Sequence, residues 1–170
     1  MSEKREKCDE CKTTYIAAAK GHVKCLEYLV ANDISNGSQT WHEETTYTAA
    51  ANGHKEILEI CVANNCPWDP QTTRGAAANG HKEILEYCVK NNWNCNQVTP
   101  WHPETTWVAA RNGRKECLEY IFENCKDFVS WEDSGLEKHM NDYSKEIQEY
   151  LLSVKEEWQW YGERCQDIKG

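Results

Sequence analysis

One ten-residue pattern occurs four times in this chain, and the four copies superimpose without gaps. They are Thr13-Thr14-Tyr15-Ile16-Ala17-Ala18-Ala19-Lys20-Gly21-His22, Thr45 to His54, Thr72 to His81, and Thr105 to Arg114. The glycines that anchor them, Gly21, Gly53, Gly80 and Gly113, are spaced by 32, 27 and 33 residues. Self-similarity at such a period means a fold built from one supersecondary unit, each copy buried against its neighbours. Two further markers keep the frame. A second piece follows each glycine: Cys25-Leu26-Glu27-Tyr28, Ile57-Leu58-Glu59-Ile60, Ile84-Leu85-Glu86-Tyr87 and Cys117-Leu118-Glu119-Tyr120. Trp41, Trp68 and Trp101 each precede an anchor by 12 residues. Trp131 places a fifth anchor at Tyr143, and Lys145-Glu146-Ile147-Gln148-Glu149-Tyr150 then falls in register with Lys82 to Tyr87. A fifth, degenerate copy is expected.

Each copy reads as two short helices. The alanine pairs Ala49-Ala50, Ala76-Ala77 and Ala109-Ala110 give the first helix high propensity and a thin face. The glycine ends it. In the second helix, apolar residues stand four, five, eight and nine places after the anchor, as in Ile57, Leu58, Cys61 and Val62, which is helical periodicity. Asn64-Asn65 and Asn91-Asn92 follow, and asparagine tolerates the left-handed backbone of a helix terminus. Such a unit cannot bury its apolar face alone, so stacked neighbours must supply the core.

These residues resemble the ankyrin repeat. The A-A-x-x-G-H segment and the apolar second helix match that family, and Cys66-Pro67-Trp68-Asp69 looks like the loop of a divergent subgroup found in large DNA viruses and protists. The family's T-P-L-H segment is replaced, as in Glu44-Thr45-Thr46-Tyr47, and its G-A-D-x-N segment is lacking. The likeness covers residues 13–125, and 131–152 more weakly. It implies an all-α, ankyrin-like helical-repeat solenoid of about five units: 13–36, 45–66, 72–95, 105–126 and 135–152. A charged leader, 1–12, precedes them and a C-terminal helix extension, 153–170, follows. It also implies a non-catalytic protein–protein interaction module whose partner docks on the concave first-helix and loop edge.

Composition narrows the function classes. With 19 Lys and Arg against 28 Asp and Glu, the net charge is −9, which argues against a nucleic-acid partner. Apolar runs are too short to span a bilayer, so no membrane partner is expected. Ten cysteines without an apolar leader point to reduced thiols and an intracellular location, cytoplasmic or nuclear, or the host cytoplasm for a viral member. No G-x-S-x-G, H-E-x-x-H or phosphate-cradling glycine loop is present, and no enzyme activity or cofactor is expected.

The remaining candidates weigh structure against chemistry. His22, His54 and His81 recur at one position, where Arg114 stands in the fourth copy; imidazoles bonded to backbone of a neighbouring turn explain this better than acid–base work. Cys25, Cys61, Cys88 and Cys117 alternate with aliphatic residues between copies and read as core hydrophobes. Cys8 and Cys11 form a lone C-x-x-C; a zinc site needs about four ligands, and Cys25 and His22 could join only if the leader folds back, so no metal is assigned. A redox pair is the other alternative. The glutamate row Glu27, Glu59, Glu86 and Glu119 reads as a solvated face, with Lys55 and Lys82 pairing locally.

A binder's specific residues should be those that break the shared pattern, because the pattern itself is used for stacking. That singles out Arg111, where the other copies have alanine, with Trp107, Val108, Trp93 and His102. The loop tryptophans Trp41, Trp68 and Trp101 either staple adjacent loops or offer an aromatic strip; their repetition fits stapling better. Near the C-terminus, Ile147, Leu151, Val154, Trp158, Tyr161, Cys165 and Ile168 follow a 4-3 spacing. This seam reads as a cap on the last unit, with a homodimer through the C-terminal helix as the structural alternative.

Overall fold

A computed structural model describes residues 10–36, 41–42, 44–91, 104–125 and 134–155. All regular structure among them is helical. The α-helices run in the order α1 Thr14–Lys20, α2 Val23–Asn36, α3 Thr45–Ala51, α4 Lys55–Ala63, α5 Thr72–Asn79, α6 Lys82–Lys90, α7 Thr105–Arg111 and α8 Lys115–Asn124. A 3-10 helix, Glu137–Asp142, and helical residues 145–155 (α9) follow. Helices of seven to ten residues, such as α1 and α8, are marginal alone in water, so packing must hold them.

The packing forms two rows. The odd-numbered helices touch in the order α1, α3, α5, α7, and the even-numbered ones in the order α2, α4, α6, α8, each odd helix also touching the even one that follows it. Every alanine pair of the odd row, from Ala17-Ala18 to Ala109-Ala110, is fully buried. Methyl side chains let these short helices approach closely. Leu26, Leu58, Leu85 and Leu118 belong to the buried core of the even row, joined by Cys25, Cys61, Cys88 and Cys117. The cysteines stand where other units place aliphatic side chains, as expected for small hydrophobes.

The turn between paired helices is the same four times. Gly21, Gly53, Gly80 and Gly113 all adopt positive φ, from +66° to +87°. The amide after each glycine reaches back to the first alanine of the pair, for example His54 N to Ala49 O at 2.9 Å. Asn65 takes φ +54° at the end of α4, as its position in the pattern suggests. Asparagine side chains also close helix ends: Asn52, Asn64, Asn91, Asn112 and Asn124 each donate to the carbonyl four residues back.

A buried threonine ladder ties one odd helix to the next. Thr14 faces Thr45 at 3.1 Å, Thr46 faces Thr72 at 3.2 Å, and Thr73 faces Thr105 at 3.2 Å. The same hydroxyls hold the chain entering each helix: Thr14 accepts from the His42 amide, and Thr46 from the Asp69 amide. No threonine follows Thr106 in the sequence, and the Thr106 hydroxyl is buried with no partner. We expect Thr46→Val to cost about 1–3 kcal/mol, because it removes the acceptor of the Asp69 amide and the buried contact with Thr72. Thr106→Val should be neutral or stabilising by up to about 1 kcal/mol. Urea denaturation of both variants checks the pair; equal losses would contradict the ladder.

The fifth copy departs from the others in its first half. The 3-10 helix replaces the alanine-rich helix. Tyr143, at the position of the glycine anchor, has extended backbone with φ −88° and ψ 158°, so glycine is not required there. Its second half conforms: Ile147 and Leu151 are buried, and Tyr150 lies against Phe122 of α8 with ring centroids 6.1 Å apart. The helix that carries the described seam residues Ile147, Leu151 and Val154 thus meets α8. Trp158, Tyr161, Cys165 and Ile168 lie outside the described residues.

Candidate functional site

Pattern-breaking residues meet on the α7 edge. Arg111 is exposed, and its guanidinium carbon sits 5.2 Å from the centre of the Trp107 ring. His139, from the 3-10 helix, lies on Trp107 with ring centroids 5.6 Å apart and tilted by 56°. His139 Nδ1 in turn contacts Asp142 at 3.2 Å. Trp107 is thus not a free-standing anchor. It is partly buried against the core, in contact with a cation and an imidazole, and its indole N–H is buried without a partner.

Val108 is only 5% exposed and belongs to the core, so it offers no surface to a partner and is not a docking residue. Its departure from the pattern is a matter of packing. It stands where α5 has Gly75, and there the Tyr47 ring occupies the space a side chain would take: a methyl on Gly75 would fall 2.9 Å from it. Trp41 and Trp68 pack partly buried against the core, the placement that stapling requires. Trp93, Trp101 and His102 lie outside the described residues.

The third residue of each odd-helix copy reaches toward the following unit. Tyr15 lies against His42 at 5.2 Å between centroids, and Tyr47 covers Gly75. Arg74 donates to Glu104 at 3.0 Å, and Trp107 meets His139. Tyr15, 37% exposed, Arg74 and Arg111 are the parts of this edge most open to solvent.

The recurring histidines reach the opposite way. The His54 ring covers Gly21 and the His81 ring covers Gly53, so closely that a methyl on either glycine would lie 2.6 Å from the imidazole Cε1. Arg114 covers Gly80 and donates from Nε to Ala78 O at 3.2 Å. The expected backbone-bonding role is therefore taken by the arginine, while the histidines serve as flat covers for a glycine turn. Among the described residues no glycine turn lies under His22, whose Nδ1 stands 3.1 Å from Cys11 Sγ.

Of the charged leader 1–12, residues 10–12 are described, and they lie against the first unit. Cys11 is fully buried, Lys20 and Glu10 form an ion pair, and Cys11, His22 and Cys25 bring one ligand atom each to within 4.8 Å of one another. Elsewhere, burial pushes the thiols of Cys88 and Cys125 up to about 12. Burial, reinforced by the Glu83 carboxylate, takes Cys117 to about 11. These groups remain protonated and unreactive at neutral pH. Cys66 is also raised, through a hydrogen bond with Cys61 and through burial.

On the even-helix face, Lys55 pairs with Glu59 at 3.7 Å and Lys82 with Glu86 at 3.9 Å, the local pairing expected of that acidic row. A shallow cleft of about 470 Å³ lies between α2 and α4, lined by Glu27, Glu56, Glu59 and the apolar Val30 and Ile60. Among the described residues no helix is long and apolar enough to cross a membrane. No protein-family model matches the chain, and no curated protein is similar to it.

Proposed function

We propose that the chain is an ankyrin-like helical-repeat solenoid of about five units, and that it works as a non-catalytic protein–protein interaction module. The partner, another protein, docks along the edge formed by the first helix of each unit, with Arg111 of α7 as the principal contact and Arg74 of α5 and Tyr15 of α1 further along it. One observation carries this reading: Arg111 departs from the internal pattern and yet is exposed, on an edge whose neighbouring positions are committed to packing. A residue that stacking does not need is open to recognition. Arginine over an indole is also a common interface pairing, since the ring holds the guanidinium in place at little entropic cost. The many buried cysteines suit a reducing, intracellular setting.

Arg111→Glu is the informative substitution. The residue is exposed, so stability should change by no more than about 1 kcal/mol, the cation–π contribution. Proteins captured by the wild-type chain in proximity labelling should then be re-tested with purified components. At least a tenfold loss of affinity for Arg111→Glu, with an unchanged circular dichroism spectrum, is the expected result. Unchanged affinity would place docking elsewhere.

A further inference from the structure

We infer that Cys11, His22 and Cys25 of the first unit form a zinc site. Two segments distant in sequence converge there. Cys11 belongs to the stretch before α1, whereas His22 closes the turn after α1 and Cys25 lies on α2. Cys11 Sγ and His22 Nδ1 are 3.1 Å apart, and all three ligand atoms fall within 4.8 Å of one another. A tetrahedral zinc with Zn–S near 2.3 Å has sulfur–sulfur edges of about 3.8 Å. The three atoms therefore need to move by no more than about 1 Å to surround an ion.

The internal repeats provide the control. Each of the four regular units has a residue at the His22 position and another three places later. These read His54 and Ile57, His81 and Ile84, and Arg114 and Cys117. Only the first unit combines a histidine with a cysteine, and it is the unit that meets a buried cysteine from outside the pattern. Histidines in the second and third units cover a preceding glycine, whereas His22 lies against a thiol. His22-x-x-Cys25 has the spacing of a zinc ligand pair, and the buried Cys11 brings the third donor.

Two thiolates and one imidazole form a borderline-soft set that selects zinc over calcium or magnesium, with a fourth position left to water. The ion fastens the residues just before α1 onto the first unit. Binding expels the protons of the two thiols as they become thiolates, so affinity falls with falling pH.

Cobalt titration of metal-free full-length chain tests this directly. One equivalent of Co²⁺ should produce the visible bands of a tetrahedral site and thiolate-to-cobalt charge transfer, and one equivalent of Zn²⁺ should abolish both. Zinc should also raise the melting temperature of the wild-type chain. Cys11→Ser and His22→Gln should each weaken binding at least tenfold, whereas Cys117→Ser, in the equivalent core position of the fourth unit, should leave it unchanged. A wild-type chain that gives no tetrahedral cobalt spectrum overturns the site without recourse to any variant. Equal affinities for wild type, Cys11→Ser and His22→Gln overturn the ligand assignment.

Discussion

Leu85→Ala should cost about 3–5 kcal/mol, a large part of the stability available to a domain of this size. Leu85 is fully buried in α6, and α6 packs against α5, α4 and α8. Truncation removes apolar contacts in the middle of this packing, and short helices pinned by their neighbours have little freedom to close the cavity. In the helical-repeat stack we propose, a break in the middle also uncouples the two ends. The urea transition of Leu85→Ala should therefore shift to lower concentration and broaden. Leu152→Ala is the matched control: Leu152 is 58% exposed and its loss should stay within about 0.5 kcal/mol. Similar costs for the two substitutions would mean that α6 is not central to the core.

Gly53→Ala should cost about 2–4 kcal/mol, for two separable reasons. Its φ of +78° strains any residue with a Cβ by about 1–2 kcal/mol. In addition, the new methyl would lie 2.6 Å from His81 Cε1, so the imidazole must leave its position. Gly113 separates these contributions within the same chain. It has φ +66°, and a methyl added there would meet nothing within 4 Å among the described residues, so Gly113→Ala should show the backbone cost alone. The double variant Gly53→Ala/His81→Ala should recover at least about 1 kcal/mol relative to the sum of the singles, since the clash vanishes with the ring. Thermal melts of the four variants measure this cycle. Equal costs for Gly53→Ala and Gly113→Ala would show that the histidine cover contributes nothing.

The two glycines also show why some features are readable from sequence and others are not. A left-handed turn is a demand made by the local backbone, and only glycine meets it cheaply, so it marks the sequence at Gly21, Gly53, Gly80 and Gly113. What lies over that turn is decided by the next unit: His54, His81 or Arg114, and, among the described residues, nothing within reach at Gly113. The thiols of Cys61 and Cys88 are legible as core because leucine and isoleucine replace them in other copies. The threonine ladder leaves a trace, the Thr-Thr pair opening every regular copy, but its meaning depends on pairing across units. Trp107 stands out as exceptional in the sequence, whereas its contact with His139 depends on a 3-10 helix that the degenerate fifth copy does not announce.

Sequence alone established the period, the helix pairs, the turn glycines and the division of each helix into an apolar and a polar side, because each is fixed within a few residues by backbone preference and periodic burial. Tertiary structure decided which side chain covers which turn, that Val108 is inside while Arg111 is outside, and that Cys11 meets His22 and Cys25. Those outcomes are set by distances between units, and spacing along the chain does not contain them.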